Sequence, residues 1–261
     1  MVLAIIGALL IGLSLGLLGS GGAILTVPVL VYLVHHPDKQ AIAESAAIVC
    51  GIAMSGALHN ALRQHVRWQS VLFFAPPSMV GAFIGSALSH PVPGRVLMGV
   101  LAGVMLLAAW MMVRGPDVEH QQPHPPRPRA AWKIMLDGFA VGLLIGFVGI
   151  GGGFLIVPAL VILGGLPLRL AVGTTLTITA LSSAVSFVKH SNDLAETIPP
   201  VEVDWRTIGL FIGVGVLGRW IGHQLGSKVN HLALTRAFSY FLAAMAVFIL
   251  VKEFAFAAAA R

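Results

Sequence analysis

The sequence GLSLGLLGSGGAILTVPVL at residues 12–30 has a close counterpart within the same chain, GLLIGFVGIGGGFLIVPAL at residues 142–160. Ten of the nineteen aligned residues are identical, at a constant offset of 130. After a longer loop in the second half, Trp68 matches Trp205 at an offset of 137. Two aligned motifs in the same order indicate a duplicated chain. We therefore expect two homologous repeats.

The composition indicates that both repeats lie in a membrane. Hydrophobic residues make up 57% of the 261 residues and charged residues only 10%, whereas soluble domains are about 25% charged. This excludes a soluble enzyme or a nucleic-acid-binding domain. A helix needs about 20 apolar residues to cross a bilayer, so we expect an all-α polytopic protein with about eight transmembrane helices. The apolar runs cover 2–34, 41–62, 70–89, 95–113, 134–166, 170–190, 206–226 and 233–251.

A linker separates the two repeats. Residues 114–133, RGPDVEHQQPHPPRPRAAWK, contain five prolines and no apolar run, a pattern typical of an exposed connector. We assign residues 1–113 to an N-terminal membrane repeat and 134–261 to a C-terminal one. Cys50 is the only cysteine and lies in an apolar run, which excludes disulfide scaffolds and cysteine-based metal sites. No metal site or cofactor is expected.

Glycine clusters interrupt the first and the fifth apolar run. Each run has 33 residues, too many for one crossing, and is broken in its middle by GSGG or GIGGG. Glycine-broken helices at equivalent positions of two repeats indicate a transport site, because a helix N-terminus has unpaired N–H groups and binds anions. Close helix packing is the alternative explanation. The candidate substrate-binding residues here are Gly19, Ser20, Gly21, Gly22, Gly149, Gly151 and Gly152.

Polar side chains within the apolar runs form a second set of candidates, because they are rare at membrane depth. Further substrate-binding candidates, each with helix capping or an interfacial position as the alternative, are Ser45, Thr174, Thr175, Asn60 and His190. Candidates for a proton relay or for anion attraction are His59, Lys189, Arg219 and His223. Arg219 is the deepest cation, and Ala82 stands at the matching position of the first repeat. Snorkelling of Arg219 to the interface remains open.

Four glycine pairs have the small-xxx-small spacing that lets helices approach closely. They are Gly12 with Gly16, Gly142 with Gly146, Gly81 with Gly85, and Gly218 with Gly222. We expect these glycines to serve helix packing and assign them no ligand.

The pattern G-x-x-G-x-G-G-x-x-L-x-V-P in each repeat, together with A-x-G-T-T at Ala171–Thr175, resembles the TauE/SafE family of sulfite and organosulfonate exporters. The resemblance covers both repeats and implies transport of a sulfur-containing anion, such as sulfite, sulfoacetate or a related sulfonate, across the bacterial inner membrane. The first repeat departs from the pattern with Ala-Ile-Ala-Glu-Ser at 41–45, which weakens the case for a symmetric hydroxyl site. The expected partners are this anion and the lipid bilayer; homo-oligomer formation stays open.

Two membrane topologies fit the sequence. Eight crossings give parallel repeats and place ten Lys and Arg residues on the side of both termini against five opposite, so the positive-inside rule makes the termini cytoplasmic. If each broken run is a re-entrant hairpin or two short crossings, the repeats are inverted and the split is nine to six. We prefer the first topology. A cation or metal transporter and a non-transporting partner subunit are the alternative functions.

Overall fold

The computed structural model describes residues 2–18, 21–114, 131–148, 156–157, 160, 166, 168–196, 203–226 and 239–252. Within these ranges the regular secondary structure is helical. The linker prediction falls largely outside them, since residues 115–130 are not described.

The principal helices follow one another with short connections. Their bounds are α1 Val2–Leu18, α2 Thr26–Val29, α3 Asp38–Leu62, α4 Trp68–Ser89, α5 Gly94–Arg114, α6 Ala131–Val148, α7 Leu168–Ala195, α8 Trp205–Gly226 and α9 Ser239–Lys252. A 3-10 turn, Gly21–Leu25, precedes α2, and a π turn, Leu30–Val34, follows it. The glycine-broken run of the first repeat is thus one helix, Val2–Leu18, and a second helical stretch, Gly21–Val34, rather than one long helix.

Each repeat packs its first helix against the other repeat. Helix α1 lies along α8, and α6 lies along α4. A methyl group on Gly12 would overlap the backbone of Gly215, and one on Gly142 would overlap the carbonyl oxygen of Ser78. Only glycine allows such an approach, because any side chain would separate the helices. The predicted packing role of the glycine pairs is confirmed.

The contacts between helices also give their directions. Gly12 and Gly16 of α1 meet residues 215 and 219 of α8, so these two helices are parallel. The first residues of α3 lie beside the last turns of α7 around a cavity that both Lys39 and Asp193 line. Helices α3 and α7 occupy equivalent positions in the two repeats, yet they run in opposite directions.

The two repeats are therefore inverted with respect to each other. Of the two topologies that the sequence leaves open, the structure has the inverted one, and the preferred parallel arrangement is wrong. Helices α1, α3, α5 and α8 begin at one end of the bundle, which we call the Asp38 end. Helices α4, α6 and α7 begin at the opposite end, which we call the Arg67 end. Within the first repeat the chain also turns back after α1, because Val29 and Leu33 pack against Gly7 near the start of α1.

The outer surface of the bundle is suited to lipid. Four helices are long and apolar enough to cross a membrane: Asp38–Leu62, Trp68–Ser89, Leu170–Ala195 and Trp205–Leu225. Large apolar side chains such as Leu72 and Leu217 are exposed on them. Trp68 and Trp205 are exposed at helix starts, where an aromatic belt meets the lipid headgroups. The protein is an all-α polytopic membrane protein.

Candidate functional site

The glycine clusters are only partly described. Gly19, Ser20, Gly149, Gly151 and Gly152 lie outside the described residues, so the anion-site prediction stays a prediction for them. Gly21 and Gly22 open the 3-10 turn that follows α1. The last turn of α1 lies against α8, because a methyl group on Gly16 would overlap the carbonyl oxygen of Arg219. The described part of α1 therefore ends, at Leu18, close to the level of Arg219 and His223.

Arg219 is a buried cation that has no acidic partner in the part of the chain that the structure describes. Arg219 is 7% exposed. Its Nε donates to the hydroxyl of Ser55 at 3.2 Å, and its Nη2 donates to the carbonyl oxygen of Ser55 at 3.3 Å. No carboxylate of the described residues forms an ion pair with it. Its side chain points at α3, where a methyl group on Gly56 would come within 3.1 Å of Nη1. Snorkelling to the interface is therefore not what the structure shows.

Two histidines lie beside this guanidinium group. The rings of His59 and His223 meet edge to face with centroids 5.3 Å apart. The Nε2 atom of His59 is buried and has no hydrogen-bond partner within the described ranges. Arg63 and Arg219 are both near enough to His59 to act on it electrostatically. Helices α3 and α8 thus place a group of cations and histidines, Arg219, His59, His223 and Arg63, towards the Arg67 end.

Glu44 and Thr174 occupy equivalent positions and have equivalent roles. The hydroxyl of Thr174 accepts a hydrogen bond from the backbone N–H of Arg67 at 3.0 Å, and Glu44 Oε1 accepts one from the N–H of Asp204 at 2.9 Å. Residues 67 and 204 are themselves equivalent and precede α4 and α8. Thr174 also donates to Leu170. These bonds connect α3 and α7, each to the other repeat. This is a positioning role that the sequence did not indicate.

The remaining hydroxyl and amide candidates have mixed surroundings. Ser45 donates to the carbonyl oxygen of Ile42, and Asn60 donates to that of Gly56. Thr175 is fully buried, and no described residue forms a hydrogen bond with its hydroxyl. The structure adds Thr179 and Ser183, which the sequence analysis missed although they follow Thr175 at helical spacing.

A second polar group lies between α7, α4 and α6. The ring of His190 donates from Nε2 to the carbonyl oxygen of Gly146 at 2.9 Å. Ser86 and Ser186 share a hydrogen bond at 3.2 Å. Lys189 forms an ion pair with Asp193. The other carboxylate oxygen of Asp193 is buried, and none of the described residues is its partner. Asp193 is a further residue that sequence analysis missed.

The two polar groups are equivalent by the repeat. Asn60 corresponds to His190, His59 to Lys189, and the offset of 137 pairs Ser86 with His223. Because the repeats are inverted, one group lies towards the Arg67 end and the other towards the Asp38 end. The first has the permanent charge of Arg219, and the second has Ala82 in its place.

Comparison with known proteins gives the family. The model of the sulfite exporter TauE/SafE family matches residues 4–249. This chain belongs to the TauE/SafE family. A probable membrane transporter protein of Xylella fastidiosa is 33% identical over 254 residues, with 94% of this chain and 93% of that protein covered. The probable membrane transporter protein YunE of Bacillus subtilis is 27% identical, with 90% of each chain covered. No solved structure matches.

Membership of this family and the apolar helices together make the chain a membrane transporter. The resemblance inferred from the doubled glycine motif is confirmed. The relatives that match over almost their whole length carry no more specific name than probable membrane transporter.

Proposed function

We propose that this transporter moves a small sulfur-containing oxyanion, such as sulfite, sulfoacetate or a related organosulfonate, across the bacterial inner membrane by alternating access. The observation that carries the anion class is Arg219, a buried guanidinium group without a carboxylate partner among the described residues. The description of the family as sulfite exporters supports sulfur chemistry. Transport, rather than catalysis, is the proposed activity.

The surroundings of Arg219 suit an incoming oxyanion. A cation in a low-dielectric site attracts an anion far more strongly than it does in water, and guanidinium presents a planar fork of donors to oxyanions. His59 Nε2, which has no hydrogen-bond partner among the described residues, adds a further donor or acceptor nearby. We assign the backbone N–H groups at Gly21 and Gly22 to the same anion, because a glycine-rich start of a helical segment exposes unpaired N–H groups.

The inverted repeats provide the conformational change. In inverted-repeat transporters one half rocks or gates against the other around a site at their interface. Here the halves exchange their first helices, so α1 moves with α8 and α6 moves with α4. Because no nucleotide-binding motif was found in the sequence, we propose an ion or membrane gradient as the energy source.

The test is stabilisation of the detergent-purified protein by sulfite, thiosulfate, sulfate, sulfoacetate, taurine, acetate and chloride. A ligand at about 100 times its Kd adds about 2.7 kcal/mol to stability, which the melting temperature reports. We expect a sulfur oxyanion to stabilise the wild type and Gly103→Val, because the Gly103 position is open, but not Gly21→Val. No stabilisation by any of these anions would refute the proposal and favour the cation-transporter alternative.

The orientation in the membrane follows from the inverted topology. Lys and Arg are then divided nine to six in favour of the Arg67 end, so the positive-inside rule places that end in the cytoplasm. We propose this orientation in place of cytoplasmic termini. Cysteines introduced at His120 and at His90, in a Cys50→Ser background, report it through a membrane-impermeant maleimide. Labelling at His120 but not at His90 in intact cells would reverse the orientation.

A further inference from the structure

A small cavity at the Asp38 end contains an ionisable pair that anion binding at Arg219 does not use. His190 and Asp193 of α7 line it together with Lys39, Ser89 and His90. Both α7 residues are 7% exposed. Because His90 is exposed and Lys39 half-buried, the cavity reaches the surface of the bundle at this end.

The hydrogen bonds leave two sites in this cavity for a proton. A carbonyl oxygen only accepts, so the Nε2 atom of His190 carries the hydrogen that it donates to Gly146, and Nδ1 keeps the lone pair that can take a proton. Asp193 uses one carboxylate oxygen for Lys189 and leaves Oδ2 buried with no hydrogen-bond partner among the residues described. A buried carboxylate oxygen without a donor is a costly arrangement, which a cation or a proton would relieve.

The charges around the pair select a proton rather than a metal ion. The charged and titratable groups that face His190 are Asp193 and Lys189 from α7, His90 after α4, and Lys39 from α3. The ammonium groups of Lys39 and Lys189 oppose any added cation, a divalent metal ion more strongly than a single proton, and Lys189 already occupies one of the two carboxylate oxygens of Asp193. A proton on His190 needs no ligand shell and is stabilised by the Asp193 carboxylate.

We propose that His190, with Asp193 as its positioning partner, is the proton-binding site that couples anion movement to proton movement. This inference rests on the proposed function. The group at the Arg67 end has a permanent cation in Arg219, unpaired among the described residues, whereas its counterpart at the Asp38 end gains one positive charge when His190 is protonated. A proton on His190 and an anion at Arg219 therefore favour each other's binding, because coupling between two ligands is reciprocal. A carrier that binds them together moves them in the same direction.

Proton uptake on anion binding is the direct test. Titration calorimetry of the purified protein with sulfoacetate and with thiosulfate, in two buffers of different ionisation enthalpy near pH 7, counts the protons bound with each anion. We expect uptake of up to roughly one proton per anion in the wild type and none in His190→Asn, the residue that the first repeat has at position 60. His190→Gln keeps an amide donor for Gly146 and serves if the asparagine variant does not fold.

Two further variants separate the site from general effects. Asp193→Asn removes the carboxylate and should lower proton uptake while the anion still binds. His35→Asn is the matched control, because His35 is exposed at the same end and its φ of 66° is one that asparagine tolerates. We expect full proton uptake in this control.

Transport in liposomes provides the second readout. With a pH-sensitive dye inside, an inward sulfoacetate gradient should acidify wild-type vesicles and leave His190→Gln vesicles unchanged. Anion flux or binding without proton movement in the wild type, or equal proton uptake in His190→Asn and the wild type, would overturn the inference while the proposed function stands. Absence of any anion binding or flux in the wild type would refute the proposed function, and the inference with it.

Discussion

Replacing Arg219 by methionine should stabilise the protein and abolish anion binding. Methionine keeps the bulk of the side chain but removes a charge whose insertion near a helix centre costs about 2.5–3.5 kcal/mol. The two hydrogen bonds to Ser55 are long, at 3.2 and 3.3 Å, and their loss costs about 0.5–1 kcal/mol each. The difference predicts a gain of about 0.5–2.5 kcal/mol in the free energy of unfolding.

The same substitution should weaken anion binding strongly. A hydrogen bond to a charged group contributes about 1.5–3 kcal/mol, which corresponds to roughly a 10- to 100-fold increase in Kd. Arg219→Lys, which keeps the charge without the planar fork, should lose less affinity. Ser55→Ala keeps the guanidinium group and should retain binding.

The assay is thermal unfolding in detergent with and without the stabilising anion, for the wild type and the three variants. A higher melting temperature of Arg219→Met without the anion, together with no response to the anion, is the expected result. An unchanged anion response in Arg219→Met would refute the placement of the site. A lower melting temperature without any change in anion response would make Arg219 a structural residue.

Three further predictions concern stability. Gly142→Val should cost about 3 kcal/mol by overpacking against Ser78, whereas Gly103→Val on the exposed face should be neutral in melting temperature; equal effects would contradict the packing role. Glu44→Ala should cost about 1–3 kcal/mol, because the N–H of Asp204 loses its acceptor, while Glu44→Gln should lose less; an Ala variant as stable as Gln would contradict this. A hydrogen bond from the Thr207 hydroxyl, helped by backbone N–H groups and opposed by burial, holds the pKa of Asp204 below its usual range. The stability that the Asp204 carboxylate contributes is therefore present above its unfolded pKa and disappears as pH falls through its folded pKa. Melting temperatures of the wild type and Asp204→Asn should converge in acid, and parallel curves would count against it.

Local sequence was sufficient for the helices and for the packing of the glycine pairs. Apolar runs of about 20 residues predict transmembrane helices because the bilayer core sets their length, and α3, α4, α7 and α8 confirm this. The glycine spacing predicted close contacts because backbone approach depends only on the missing side chain. Arg219 stood out because no second cation matched it in the other repeat.

Partners across the bundle could not be predicted in this way. Glu44 appeared as the opening residue of an apolar run, and only the fold brings the N–H of Asp204, 160 residues away, to its carboxylate. Asp193 gave no signal beside Lys189, because an i,i+4 ion pair on a helix is commonly a solvated surface feature. Its unpartnered oxygen is evident only once α7 is packed against α3 and α4.

The sequence by itself determined that this is a duplicated, helical membrane protein of the TauE/SafE type, because repeat identity and apolar length are local properties of the chain. Only the tertiary structure decided that the repeats are inverted. The numbers of lysines and arginines on the two sides of the membrane depend on how many times each glycine-broken run crosses it. The hydropathy of such a run is nearly the same for one crossing or two, so it does not give that number. Contacts such as Gly12 with Gly215 fix the direction of each helix, and with it the end of the bundle at which each charge lies.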